Sequence, residues 1–96
     1  MELFIFARFH AREGREADVA RALVEQVAFA RSEPGCFMIH AFRATREPRQ
    51  FFIHSRWKDE AAFQAHADLP NTIEFVARME ALIDHPFDVT RSHAIG

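Results

Sequence analysis

The sequence predicts an α+β domain of ferredoxin-like topology, β-α-β-β-α-β, in which two helical segments cover one side of a four-stranded antiparallel sheet. Three observations carry this expectation. The ends of the chain alternate with a period of two, two Phe-rich runs flank a short polar turn, and two stretches show apolar residues at three- and four-residue spacing. With 96 residues and no internal repeat, low-complexity segment or linker, residues 1–96 read as one domain.

Along the first strand, Glu2 to His10, Leu3, Ile5, Ala7 and Phe9 alternate with Phe4, Phe6, Arg8 and His10, so both faces are expected to be covered. Glu16 to Arg31 places Val19, Ala20, Leu23, Val24, Val27 and Ala30 on one side of an amphipathic helix. Pro34 and Gly35 end it, because proline lacks the amide hydrogen and glycine tolerates turn backbone. Cys36 to Ala44 and Gln50 to Trp57 read as an antiparallel hairpin across Thr45 to Arg49. Asp59 is placed to cap the next helix, which Pro70 interrupts by starting a further helical turn. Ile73, Val76, Ala77, Met79, Leu82 and Ile83 form its expected buried side, and Pro86 ends it. A last strand is expected within Phe87 to Ile95, with Phe87, Val89 and Ile95 on one face.

Two helices cover only one face of such a sheet, yet Phe4, Phe6 and Phe52 on the other face also call for burial. A second copy packed sheet to sheet supplies it, so a homodimer is expected. Twelve basic and fourteen acidic side chains give a formal charge of −2 without clusters, which argues against nucleic acid and against an anionic membrane surface as partners. No stretch approaches the roughly 20 apolar residues of a membrane span. The chain enters a strand directly, without a leader pattern, and its lone Cys36 cannot form an internal disulfide; a reducing, cytoplasmic setting is expected.

If Ala44 pairs with Gln50, the hairpin register sets His40 opposite His54, with Met38, Phe42, Phe52 and Arg56 on the same face. Two imidazoles there read as metal ligands or a proton relay, or as polar contacts at the dimer interface; no third ligand stands at an obvious spacing, so no metal is expected. On the other face Phe51, Ile53, Ser55 and Trp57 look toward the helices together with Phe37, Ile39 and Ala41. Trp57 offers a stacking surface and an N–H donor, and His66 in the following helix is able to exchange a proton near neutral pH. As sequence alone the same two residues are the pattern of a core aromatic and a partly exposed helix histidine. Cys36 has no evident thiolate-stabilising neighbour, and three glycines, at 14, 35 and 96, make no phosphate loop, which disfavours a nucleotide cofactor.

The run Ser32-Glu33-Pro34-Gly35-Cys36, the strand Phe51-Phe52-Ile53-His54-Ser55-Arg56-Trp57 and the stretch Asp59-Glu60-Ala61-Ala62 through His66 to Pro70 resemble the antibiotic-biosynthesis monooxygenase family. The resemblance continues through Phe75-Val76 to Leu82-Ile83. It implies a dimeric α+β barrel and one of several chemistries: cofactor-independent oxygenation of quinols or polyketide anthrones, haem degradation, or isomerisation of a small signalling-molecule product. Many relatives carry a glutamate where this chain has Ser55 and a second histidine where it has Asn71, so by resemblance a carboxylate orienting His66 is missing. The asparagine and iron-ligating histidine of the haem-degrading branch align with Ala7 and Val76, which disfavours haem. Polar partners of the tryptophan in the anthrone-oxidising branch align with Ile53 and Phe63, so only Trp57 carries over.

The resulting expectation is a monooxygenase without cofactor or metal, acting with O2 on a small phenolic, quinol or polyketide-type aromatic. His66 is the base and Trp57 positions the ring, while Phe37, Ile39, Phe51, Ile53, Ser55, Phe63 and Val76 form the substrate pocket. The rival readings are an isomerase or tautomerase of a small hydroxy-ketone, and a non-catalytic dimeric module that binds a small molecule.

Overall fold

In the computed structural model, which describes residues 1–96, the chain runs β1 (Leu3–His10), α1 (Glu16–Ala30), β2 (Cys36–Arg43), β3 (Gln50–Trp57), α2 (Glu60–Ala67), α3 (Pro70–Glu80) and β4 (Asp88–Ser92). The strands form one sheet in the order β2-β3-β1-β4. All three pairings are antiparallel, and β1 lies at the centre between β3 and β4. This is the expected ferredoxin-like α+β fold.

Burial follows the pleat. Leu3, Ile5, Ala7 and Phe9 of β1, with Phe51, Ile53, Ser55 and Trp57 of β3, are buried on the helix side. The alternate residues Phe4, Phe52, His54 and Arg56 are only half-buried, and Phe6 and Phe42 are exposed. The helices close the core with Val19, Ala22, Leu23, Val27, Ala30 and Met79, each worth roughly 1–3 kcal/mol in transfer free energy according to size.

Several expectations need correction. Val24 is 66% exposed and Ile73 58% exposed, while Gln26 and Thr72 are buried in the stripes meant for them. The helices meet the sheet and each other over a narrower arc than the apolar residues span, and the Gln26 Nε2–H donates to Thr72 Oγ1 at 3.2 Å where α1 faces α3. The last strand stops at Ser92, the last residue paired with β1, so Ile95 lies fully exposed beyond it. The pairing of β2 with β3 shifts between Cys36 and Met38. That bulge gives β2 one extra residue and takes Phe37 out of the alternation. Phe37 is half-exposed with its ring 5.5 Å from the Arg56 guanidinium, a residue of the sheet face away from the helices.

Candidate functional site

The site begins in the turn that ends α1. The Glu33 N–H donates to Ala30 O at 3.0 Å, and the Cys36 N–H donates back to Glu33 O at 3.2 Å. Pro34 and Gly35 occupy the two central positions, with Gly35 at φ +84°, the pattern of a type II turn. A Cβ on Gly35 would stand 2.7 Å from Ala62 Cβ. The Lys58 N–H donates to Gly35 O at 2.8 Å. The turn is therefore pressed against the start of α2, and only glycine fits there.

Helix α2 starts at Asp59, whose carboxylate accepts the Ala62 N–H at 2.9 Å, as the sequence predicts. About two turns later His66 is buried, with Nδ1 2.8 Å from Glu33 Oε1. The two side chains are only 8% and 12% exposed. An ionised carboxylate accepts and cannot donate, so against it Nδ1 carries the proton of this bond, and in a neutral imidazole Nε2 is then the acceptor. Nε2 makes no protein hydrogen bond and is not sealed from the surface, which fits His66 as part of a cavity wall. Glu33 Oε2, by contrast, is buried without a partner.

Beneath His66 lies Trp57, completely buried, its ring centroid 4.7 Å from the imidazole and 5.6 Å from Phe63. The indole N–H donates to Ser55 Oγ at 2.9 Å. Ser55 thereby spends a lone pair on Trp57, while its own hydroxyl proton has no acceptor in the protein.

A cavity of about 290 Å³ opens between the sheet and α2–α3. Of the residues expected around a substrate, Ile39, Ile53, Ser55, Phe63, Val76 and His66 line it. Trp57, Phe51 and Phe37 do not. Trp57 supports His66 from below, and its N–H is already committed. Phe51 is buried beside the Arg43 guanidinium, 5.3 Å from the ring centroid, and the bulge has removed Phe37. Ala7 and Val76, the positions expected to exclude haem, both line the cavity as small apolar side chains.

Four polar contributors escaped the sequence reading. Gln26, Thr72 and Arg91 supply polar groups to the cavity wall, and Glu33 supports His66 from behind. Gln26 had a signal, a polar side chain within an apolar helical stripe. Arg91 crosses from β4 to α2, donating to Glu60 Oε2 at 2.8 Å and Gln64 Oε1 at 3.0 Å with its guanidinium over Phe63. The carboxylate that resemblance marks as missing at Ser55 is thus supplied from the turn before β2.

The remaining candidates are accounted for. Burial, then the nearby Glu33 charge, push the Cys36 thiol above its ordinary pKa, the opposite of a nucleophile's requirement. His40 and His54 are direct cross-strand partners. Each hydrogen-bonds elsewhere: His54 Nδ1 to the Ile5 carbonyl at 3.0 Å, His40 Nδ1 to the Arg31 guanidinium at 3.0 Å. His54 also stacks on Phe6, with centroids 4.5 Å apart.

Comparison with known proteins shows what the chain as a whole is similar to. The sequence profile described as antibiotic biosynthesis monooxygenase matches residues 3–78. YcnE, a candidate monooxygenase of Bacillus subtilis (strain 168), is 33% identical over 73 residues, which are 76% of this chain and 74% of YcnE. Among solved structures, Rv0793 from Mycobacterium tuberculosis superposes with a TM-score of 0.93 at 19% identity, covering 100% of this chain and 97% of that one. SnoaB, a cofactor-independent oxygenase from Streptomyces nogalater, gives a TM-score of 0.88 at 18% identity, with 99% and 94% covered. At these identities the two structures speak for the fold alone.

Proposed function

The chain belongs to the antibiotic biosynthesis monooxygenase family, and from that premise we propose that it is a cofactor-independent monooxygenase of a small phenolic or quinol-type aromatic. One observation carries the reading: a histidine whose Nδ1 is held by a buried carboxylate and whose Nε2 is free, in the wall of a mainly apolar cavity. A cavity of about 150 Å³ holds benzene, so 290 Å³ suits one or two fused rings with substituents.

The chemistry needs only a base and a dry site. His66 Nε2 takes the proton of a substrate hydroxyl, and the resulting electron-rich anion gives one electron to O2. The substrate radical and superoxide combine at a ring carbon to a peroxide anion, which takes the proton back from the His66 imidazolium to become a hydroperoxide. Loss of water from it leaves one oxygen atom on the ring and the other in the water. For a quinol this makes a hydroxyquinone, and the substrate itself supplies all four electrons. Glu33 keeps the imidazole in the accepting tautomer and balances its charge once protonated, while Ser55, with an uncommitted hydroxyl proton, is placed to donate to the substrate oxygen. Phe4, Phe6, Phe42 and Phe52 on the other sheet face are, in this reading, covered by a second copy in a homodimer.

The test is oxygen uptake by chelator-treated protein offered reduced quinones and anthrones, beside His66→Asn, whose amide still donates to Glu33. Uptake above the uncatalysed rate, lost in the variant, is the expected result. Conversion of substrate without oxygen would replace the proposal with an isomerase using the same proton-handling pair. Ligand retention without any conversion would replace it with a binding module.

A further inference from the structure

We propose a second site, for a divalent transition metal of the Zn²⁺ class, formed by His10, Asp84 and His85 at the end of the sheet. His10 Nδ1 lies 2.7 Å from Asp84 Oδ2, and His85 Nδ1 lies 2.6 Å from Asp84 Oδ1. One ligand atom from each residue falls within 4.8 Å of the others, and the two imidazoles stack with centroids 5.8 Å apart. A tetrahedral ion with bonds of about 2.0–2.1 Å needs ligand atoms roughly 3.4 Å apart, so small side-chain rotations open the cluster to receive one.

The backbone has already brought the ligands together. Ala11 and Ile83 form an isolated antiparallel bridge. The Asp84 N–H donates to His10 O at 3.0 Å, and the Arg12 N–H donates to Leu82 O at 2.9 Å. His10 and Asp84 are therefore fixed by main-chain hydrogen bonds, and His85 follows directly from Asp84. A carboxylate of Glu47 stands 3.9 Å from His10 Nε2, on the side where a metal-bound imidazole commonly has a carboxylate partner. Two imidazoles and one carboxylate favour Zn²⁺, Ni²⁺ or Cu²⁺ over Mg²⁺ or Ca²⁺, and three protein ligands leave a position open to water. The site is separate from His66. It adjoins the cavity through the same connection, since Phe87, two residues after His85, lines the cavity and stacks on Phe9 at 5.0 Å. An ion here would tether that wall to the end of β1.

Tag-free, chelator-stripped protein titrated calorimetrically with Zn²⁺ is the test, with Mg²⁺ as the comparison ion. The proposal expects one Zn²⁺ per chain, no Mg²⁺ heat, and affinity lowered by more than about tenfold in both His85→Ala and His10→Ala. His85 is largely exposed, so that variant keeps its fold, and unchanged circular dichroism checks this. His40→Ala should bind as the parent does. Absence of saturable binding, or binding that survives His85→Ala, would overturn the assignment, as would loss in His40→Ala, which would move the ion to the His40–His54 pair.

Discussion

The two faces of the sheet are built from alternate residues of the same strands, yet they treat histidine in opposite ways. On the helix side His66 is gripped at Nδ1 by a buried carboxylate, leaves Nε2 without a protein partner and forms part of a cavity wall. On the other side His54 is stacked on Phe6 and uses Nδ1 on the Ile5 carbonyl, a partner that neither charges nor discharges. The difference lies in what surrounds each ring. A carboxylate behind an imidazole stabilises the protonated form it passes through as a base, whereas a carbonyl and a phenyl ring only hold it in place. The proposed chemistry therefore belongs to the helix side and the proposed assembly to the other.

The sharpest way to break this comparison is to exchange the roles. His66→Asn should lower oxygen uptake by about 10²-fold or more, the usual share of a general base, whereas His54→Asn should leave turnover within about twofold of the parent. Equal losses in the two variants, measured by oxygen electrode, would erase the distinction between the faces.

Glu33→Gln probes the grip on His66 with a smaller effect. The amide keeps the size of the side chain but not the charge, so turnover should fall by about tenfold while substrate affinity, read by equilibrium binding, stays nearly constant. Loss of binding with turnover per bound substrate intact would make Glu33 a packing residue. On the opposite face Phe6→Glu should convert the proposed dimer to monomer in sedimentation while leaving the helix side folded; a parent protein already monomeric would leave that face without an assembly role.

How much of this could be read from the chain depends on whether the signal is local. The strands, the helix stop ahead of Pro34, the Asp59 cap and the His40–His54 register are written in neighbouring residues or in a short hairpin, where a period of two or 3.6 leaves few alternatives. The last helix, by contrast, ends at Glu80, well before Pro86, and leaves Leu82 and Ile83 buried beyond it. Phe37 was misplaced because a bulge is one residue outside any period. Val24 and Ile73 were misplaced because periodicity says which residues share a side, and only tertiary packing decides how wide the covered part is. Glu33 was unreadable as a partner of His66 for a different reason. Thirty-three residues separate them, and the turn that joins them works through the close approach of Gly35 to Ala62. Gly35→Ala tests that link: a Cβ at φ +84° against Ala62 should cost about 1–3 kcal/mol in denaturant unfolding, and should lower turnover by separating Glu33 from His66.

The smallest expected effect reports most directly on whether Glu33 is charged in the resting protein. Cys36 stands three residues after Glu33, and its thiol is raised first by burial and then by that carboxylate, with the Met38 backbone hydrogen bond and Arg31 pulling the other way. A raised thiol means that the folded protein holds this proton more tightly than the unfolded chain does. Its stabilising contribution is therefore complete below the ordinary thiol pKa and declines as pH rises through the folded value. Alkylation of Cys36 followed against pH should show a midpoint above that of a free thiol. In Glu33→Gln the midpoint should move back toward acid without reaching the free value, because burial, the larger cause, remains. No movement would mean that Glu33 carries no charge beside Cys36, and the carboxylate's role as the counter-charge of His66 would fall with it.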